Sequence, residues 1–241
     1  IRRDSNSSIG DRSDGSKTEN DTNLFISINQ IFIPFNQNNN NENIYNIFGI
    51  CSGGGLFGKT ISNYICSNIS KYINDELNNK KNKITSLEKK TNNFEYTIKN
   101  IFLQVNNLLN NDLVIDTSTS GSCFISLIIT QNNIISINLG NNKAIVGIKE
   151  NKKFIPRNLN IIHKPAIKEE KQRILENNGV MEYSIGYNNY DYSALRIKHP
   201  NLNMPGLTVT RCFGYKDWNK TGVIYEPDIY FIKHEKRFKF V

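Results

Sequence analysis

The sequence predicts an α+β fold in which antiparallel sheets pack together and helices lie against them. Three observations predict it. Two apolar stripes at helical spacing, Ile61–Leu77 and Phe94–Leu109, stand together in the first half of the chain. From Ser122 to Ile155, short apolar runs are separated by turn chemistry at Gln131–Asn133, Gly140–Asn142 and Glu150–Lys153, which marks hairpins. No alternation of strand and helix follows, so a parallel βαβ sheet does not fit.

Taken in order, residues 1–20 are polar, rich in Ser and Asp, and read as an N-terminal arm or a poorly patterned first strand. Residues 21–241 read as one domain. Leu24–Phe35 is β-rich, and Gln37–Asn43 is an asparagine-rich linker or loop insertion. Ile44–Ile50 is a buried-strand run, broken by Gly53, Gly54 and Gly55. A helix follows because Ile61, Ile65, Ile69, Ile73 and Leu77 recur at a spacing of four, flanked by Tyr64 and Tyr72. Asn78–Asn93 is a Lys- and Asn-rich loop. Phe94, Ile98, Ile101, Phe102, Val105, Leu108 and Leu109 carry the second helix. Pro165–Leu175 is a short helix, opened by proline and stopped at Asn177–Asn178–Gly179. Another strand is expected near Val223–Ile232.

Composition narrows the class. The 241 residues suffice for one large domain with a real core. Hydrophobic content is low at 38% because about one residue in six is Asn, a bias without functional meaning. The net charge of +8 is spread along the chain, at Lys80–Lys83, Lys152–Lys153 and Lys233–Lys239 among others. It forms no stripe interleaved with aromatics, so neither nucleic acid nor an anionic membrane is expected as a partner. No apolar run approaches the roughly 18 residues of a membrane helix. Cys51, Cys66, Cys123 and Cys212 lack C-x-x-C spacing, which argues against a disulfide framework or a zinc site. An intracellular, cytoplasmic location is expected on that ground. The chain begins at Ile1 without Met and stops in an apolar stretch at Phe240–Val241, and it reads as a fragment.

Two motifs compete for the same glycines. Gly53–Thr60 satisfies G-x-x-x-x-G-K-[ST] between a strand and a helix, where backbone N–H groups would cradle phosphates, Lys59 would reach the outer phosphate and Thr60 would hold Mg²⁺. Leu113–Asp116 could supply the acidic strand end of such a site. Nucleotide binding through Gly53–Thr60 is therefore one reading, although the hairpins that follow do not suit it.

The second pattern is longer. Phe48-Gly-Ile-Cys-Ser-Gly-Gly-Gly-Leu-Phe-Gly58, with Ser62-Asn-Tyr-Ile65, resembles F-G-V-F-D-G-H-G-P-x-G…V-S-x-Y-V of the metal-dependent protein serine/threonine phosphatases, the type 2C (PPM) family. Further blocks follow in the family's order. Ser120-Gly-Ser122 resembles its S-G-S/T turn, and Asn138-Leu-Gly-Asn-Asn-Lys-Ala144 its N-V-G-D-S-R-A. His163-Lys-Pro165, Glu170, Arg173-Ile174 and Asn178-Gly179 resemble its H-K-P…E…R-I…G-G helix. Pro205-Gly-Leu-Thr-Val-Thr-Arg-Cys-Phe-Gly-Tyr215 resembles P-G-L-A-x-S-R-A-F-G-D, and Gly222-Val223 with Glu226-Pro-Asp-Ile229 resembles G-V…x-P-D-I. Six blocks across residues 48–229 outweigh one eight-residue match. The resemblance implies a β-sandwich flanked by helices, with C-terminal strands missing from this fragment.

The resemblance also implies a reaction: two divalent ions, bridged by an aspartate, generate the hydroxide that attacks a phosphoserine or phosphothreonine ester. Two dications roughly 3.5–4 Å apart repel, and the carboxylate between them offsets that charge. Here the bridging position is Ser52, a neutral hydroxyl, and the family's general-acid histidine is Gly54. The G-D-S-R-A aspartate is Asn141, and the F-G-D aspartate is Tyr215. Residual ligands would be Asp21, from the N-terminal acidic pair matched by Asn20–Asp21, and the Gly53 carbonyl. Lys17 matches the phosphate-gripping arginine, and Lys59 is the other phosphate-binding candidate.

Asp116 and Asp228 read as turn or capping residues, Arg211 as a partner inside the fold, and His163, His199 and His234 lack ligand spacing. The expectation is a pseudophosphatase without a resident cofactor, binding phosphoproteins or kinase-pathway proteins through the old groove and a flap near Tyr183–Met204. A weakly active phosphatase, using Mg²⁺ or Mn²⁺ in a rearranged site, is the first alternative.

Overall fold

The computed structural model describes residues 22–32, 43–78, 87–130, 132–183, 195–203 and 206–240. The 1–20 arm, Lys17, Asp21, most of the Gln37–Asn43 linker and most of the flap lie outside them.

β1 (Thr22–Phe32), β2 (Asn43–Gly54), β3 (Gly121–Thr130), β4 (Asn133–Leu139) and β10 (Asp228–Lys233) form one antiparallel sheet in the order β1-β2-β3-β4-β10. The short β9 (Phe213–Gly214) pairs beside them at the start of β3. A second sheet has the order β11-β5-β6, from Phe238–Phe240, Ile145–Glu150 and Lys153–Asn158. β7 (Met181–Tyr183) and β8 (Leu195–Ile197) make a small hairpin.

Side-chain alternation assigns the faces of the large sheet. Phe124, Ile128, Ile135 and Ile137 join the core formed with α1 (Gly58–Asn78) and α2 (Leu87–Asn110). Their neighbours Leu127, Ile129 and Ile134 pack the other way, against Val146, Ile148 and Phe238 of the second sheet. The layers are thus helices, sheet, sheet, because a strand sends successive side chains to opposite faces. The α+β sandwich expected from the sequence is the observed architecture.

The helical stripes do what their spacing predicts. Ile61, Ile65, Ile69 and Ile73 have no exposed surface, nor do Ile98, Phe102, Val105 and Leu109. Each such side chain contributes about 1.5–3 kcal/mol of burial. Leu108 departs from the expected stripe: it is half exposed and lies off the buried face.

Other boundaries differ for physical reasons. β2 does not break at its glycines but continues to Gly54, since Gly53 pairs with Ser122 and Gly54 with Gly121. α2 begins inside the expected 78–93 loop, at Leu87. The helix after Pro165 starts later, and α3 spans Lys168–Glu176. The strand expected near Val223–Ile232 is confined to Asp228–Lys233, because Val223–Pro227 runs as irregular chain with one bridge from Ile224 to Arg211. The β7–β8 hairpin was not legible in the sequence. Its strands have three residues each, too few to show an alternation.

Candidate functional site

The four positions singled out as altered come together at one end of β2 and β3. Strand register does this: Ser52 pairs with Cys123 and Gly54 with Gly121, while Gly121 pairs with Gly214 on its other side. Gly54, Gly121 and Gly214 therefore form a row without side chains, and Tyr215 follows directly. Its backbone is left-handed (φ 44°, ψ 46°) and its N–H donates to the Ser120 carbonyl at 2.8 Å. That conformation costs a non-glycine residue roughly 1–2 kcal/mol. It lays the tyrosine across the glycine row. A Cβ at Gly54 would stand 2.5 Å from the Tyr215 hydroxyl, and one at Gly121 would collide with the ring. The ring meets Trp218 edge-on at 5.7 Å, where a partly buried aromatic pair adds about 0.5–1.5 kcal/mol. The space a histidine at position 54 would use is thus filled by a phenol.

Asn141 joins from β4. Gly140, at φ 114°, lies against Cys123, where a Cβ would strike the sulfur. Burial pushes the Cys123 thiol up to about 11, against a smaller opposing effect of the Asn141 backbone. The Asn141 residue itself is exposed. The strand-end site therefore holds a hydroxyl (Ser52), a thiol (Cys123), a backbone turn (Gly140–Asn141) and a phenol (Tyr215), all uncharged at neutral pH.

Beside it lies a densely charged network. Arg211 donates to Glu170 at 2.7 Å and to Asp228 Oδ1 at 2.8 Å, and Arg173 donates to Glu170 at 2.6 Å. The Thr210 hydroxyl also donates to Glu170. Burial opposes the Glu170 charge, yet hydrogen bonds from Arg173, Arg211 and Thr210 outweigh it and hold the carboxyl at about 2. Asp228 is likewise lowered, against burial, by His163 and Arg211. His163 accepts from the Gly140 N–H at Nδ1 (3.0 Å), so its proton sits on Nε2 and is donated to Asp228 Oδ2 (3.0 Å). One hydrogen-bonded line thus runs from Glu170 to the turn that carries Asn141. Arg211 is the internal partner expected from the sequence. Asp228 exceeds its expected turn role by pairing with Arg211 and His163, whereas Asp116 does cap a turn through the Ser118 N–H at 2.8 Å.

The phosphate-loop residues are arranged differently from an anion cradle. The Gly58 N–H donates to the Gly55 carbonyl at 3.1 Å, and the Phe57 N–H to the Ser120 hydroxyl at 3.1 Å. Gly53 is pressed against the Gly58 carbonyl so closely that no Cβ would fit. These glycines serve chain approach, and Lys59 and Thr60 are exposed in the first turn of α1.

Comparison with known proteins assigns the family. The model for Protein phosphatase 2C matches residues 13–241. The chain belongs to the protein phosphatase 2C family. It is 24% identical over 205 residues to the Arabidopsis thaliana protein named "Probable protein phosphatase 2C 65", covering 80% of this chain and 52% of that one. It is 30% identical over 128 residues to the rice "Probable protein phosphatase 2C 38", covering 53% of this chain and 27% of the relative. The chain spans about half the length, or less, of such curated relatives. Among solved structures, serine-threonine phosphatase 2C from Toxoplasma gondii superposes with a TM-score of 0.69 at 16% identity, over 92% of this chain and 72% of that one. A C. elegans sex-determining protein superposes with 0.62 at 17%, over 91% of this chain and 46% of its own. At those identities the likeness is one of fold.

Family membership implies a pair of Mg²⁺ or Mn²⁺ ions, and the residues present can be tested against them. Such ions take hard oxygen donors, carboxylates above all. Ser52 offers only a neutral hydroxyl and Gly54 no side chain, Asn141 and Tyr215 supply no carboxylate, and Gly53 offers only its backbone carbonyl. No group of three or more His, Cys, Asp or Glu side chains among the described residues is placed to hold an ion. The described residues do not fit the two-ion centre.

Proposed function

We propose that this chain is a protein phosphatase 2C domain whose hydrolytic chemistry has been abandoned, and that it works as a binding or scaffolding module for phosphoproteins or kinase-pathway proteins. One observation carries the reading: the Tyr215 ring lies across Gly54 and Gly121, in a strand-end site with no carboxylate among its described residues. A hydroxide-generating pair of dications needs negative charge between the ions, and Ser52 provides none. The surrounding frame is meanwhile maintained at some cost, since Tyr215 holds a left-handed backbone and Glu170 and Arg211 remain charged although largely buried. A frame of that kind suits binding without turnover.

The test pairs two readouts on a phosphoserine peptide. Fluorescence anisotropy should report binding, while phosphate release in Mn²⁺ should stay at the uncatalysed background. Metal-dependent release would favour the alternative, a weakly active phosphatase. Absence of binding would remove the scaffolding role.

A further inference from the structure

One loop holds two neighbouring apolar side chains out in water. Between α2 and β3, Leu113 is fully exposed and Val114 is 83% exposed. The backbone around them is tied down. Asp112 Oδ1 accepts from the Val114 N–H at 2.8 Å and the Ile115 N–H at 3.1 Å, and Asp116 accepts from the Ser118 N–H at 2.8 Å. The Thr117 and Ser118 carbonyls accept from the Lys216 and Asp217 N–H groups, and Ile115 packs on the helix-side core. With Ile115 turned inward, Leu113 and Val114 stand out as an apolar projection between two carboxylates. Little conformational freedom is left to lose when a partner covers it.

The complementary shape lies on the second sheet. Val146 and Ile148 point inward to the large sheet. Alternation and register therefore put Ile145, Gly147 and Lys149 of β5, with Phe154, Pro156 and Asn158 of β6, on the outer face. Ile145 is 40% exposed there and Phe154 55%. A recess of about 450 Å³ opens between Lys143, Ile145, Pro156 and Asn158. Lys143 and Lys149 are both exposed, and none of these residues is a carboxylate.

We infer that this recess receives the Leu113–Val114 projection of a second copy of the chain. Both halves of the contact stand on one sequence, apolar and acidic on the loop, apolar and basic on the sheet. Docking takes Leu113, Val114 and Ile145 out of water together and brings Asp112 and Asp116 against Lys143 and Lys149, which fixes the orientation. One copy cannot fill its own recess, because the loop packs on the helix side of the large sheet and the recess opens beyond the second sheet. Since projection and recess are different patches, the contact is head to tail and not self-complementary. It goes beyond the proposed binding role and stands apart from it, because neither patch includes Ser52, Gly54, Asn141 or Tyr215.

Sedimentation equilibrium of the purified chain tests it. From about 1 μM to about 1 mM, the range of weak association, the average mass should rise with concentration. Leu113→Lys sets a like charge against the lysines, and Ile145→Glu sets one against the aspartates. Each should weaken association about tenfold or more. Circular dichroism checks that both variants fold, and Lys143→Glu, outside the strands, replaces Ile145→Glu if that variant does not. The decisive step mixes the two variants. Leu113→Lys keeps its recess and Ile145→Glu keeps its projection, so a one-to-one dimer should return that neither forms alone. A native chain that stays monomeric throughout the range would overturn the inference. So would association that survives Leu113→Lys, or variants that remain monomeric when mixed.

Discussion

Two neighbouring regions of this molecule treat charge in opposite ways. Around Arg211, five side chains carry or share charge in the interior: Glu170, Arg173, Arg211, Asp228 and His163. At the ends of β2 and β3, joined to them through the His163–Gly140 hydrogen bond, the positions that the resemblance matches to the family's metal-facing and general-acid residues are Ser52, Gly54, Asn141 and Tyr215. The contrast concerns where a compensating charge comes from. In the first region every carboxylate has an arginine or histidine supplied by the protein. In the second, a carboxylate would be balanced only by ions from solution, and the four described residues there carry none. Burial penalises an unpaired charge heavily, so the first region can be kept for the fold alone, while the second has a reason to exist only if ions bind.

The largest expected effect breaks the charged region. Glu170→Ala leaves two guanidinium groups facing an empty, water-poor space and should cost about 3–5 kcal/mol in urea unfolding. Glu170→Gln, which keeps the shape and part of the hydrogen bonding, should cost distinctly less. A loss under about 1 kcal/mol for the alanine variant would mean that the network contributes little.

Next comes the coupling between Tyr215 and the glycine row. Gly54→His places a side chain where the phenol sits and should destabilise by about 1–3 kcal/mol through overpacking. In combination with Tyr215→Asp, most of that loss should return, and a double-mutant cycle reads it as a coupling energy above about 1 kcal/mol. Strict additivity would show that the tyrosine does not occupy the histidine's space.

Acid unfolding probes the same contrast. The Glu170 carboxyl is lowered from its usual 4.5 to about 2, so its contribution is fully present above pH 4.5. It is lost as pH falls from about 4.5 to about 2, because protonation then favours the unfolded chain. Stability followed by circular dichroism should therefore drop across that window, and Glu170→Gln should flatten this part of the profile. The smallest effect is at the surface. Lys99 and Glu226 pair at 2.6 Å but are each about half exposed, and Lys99→Ala should change stability by less than about 1 kcal/mol.

The helices were legible because a stripe such as Ile61, Ile65, Ile69 and Ile73 states its period and its buried face at once. The family frame was legible because its blocks are spaced motifs in fixed order. What the sequence concealed depends on contacts between distant segments. Nothing in the letters places the Tyr215 ring on Gly54, 161 positions earlier, since that follows from β9 pairing with β3 and β3 with β2. Cys123 escaped notice for the same reason, as it enters the site only through its register with Ser52. Glycines misled in one respect. Gly53 and Gly54 suggested the end of a strand, but they stay in the ladder opposite Ser122 and Gly121, and they are glycines because neighbouring backbone and the Tyr215 hydroxyl leave no room for a Cβ.

Calorimetric titration of the chain with Mn²⁺, with Ser52→Asp run alongside, weighs the account most directly. No saturable binding to the native chain is expected at millimolar metal. Two sites filling at micromolar Mn²⁺, with Ser52 unchanged, would contradict it.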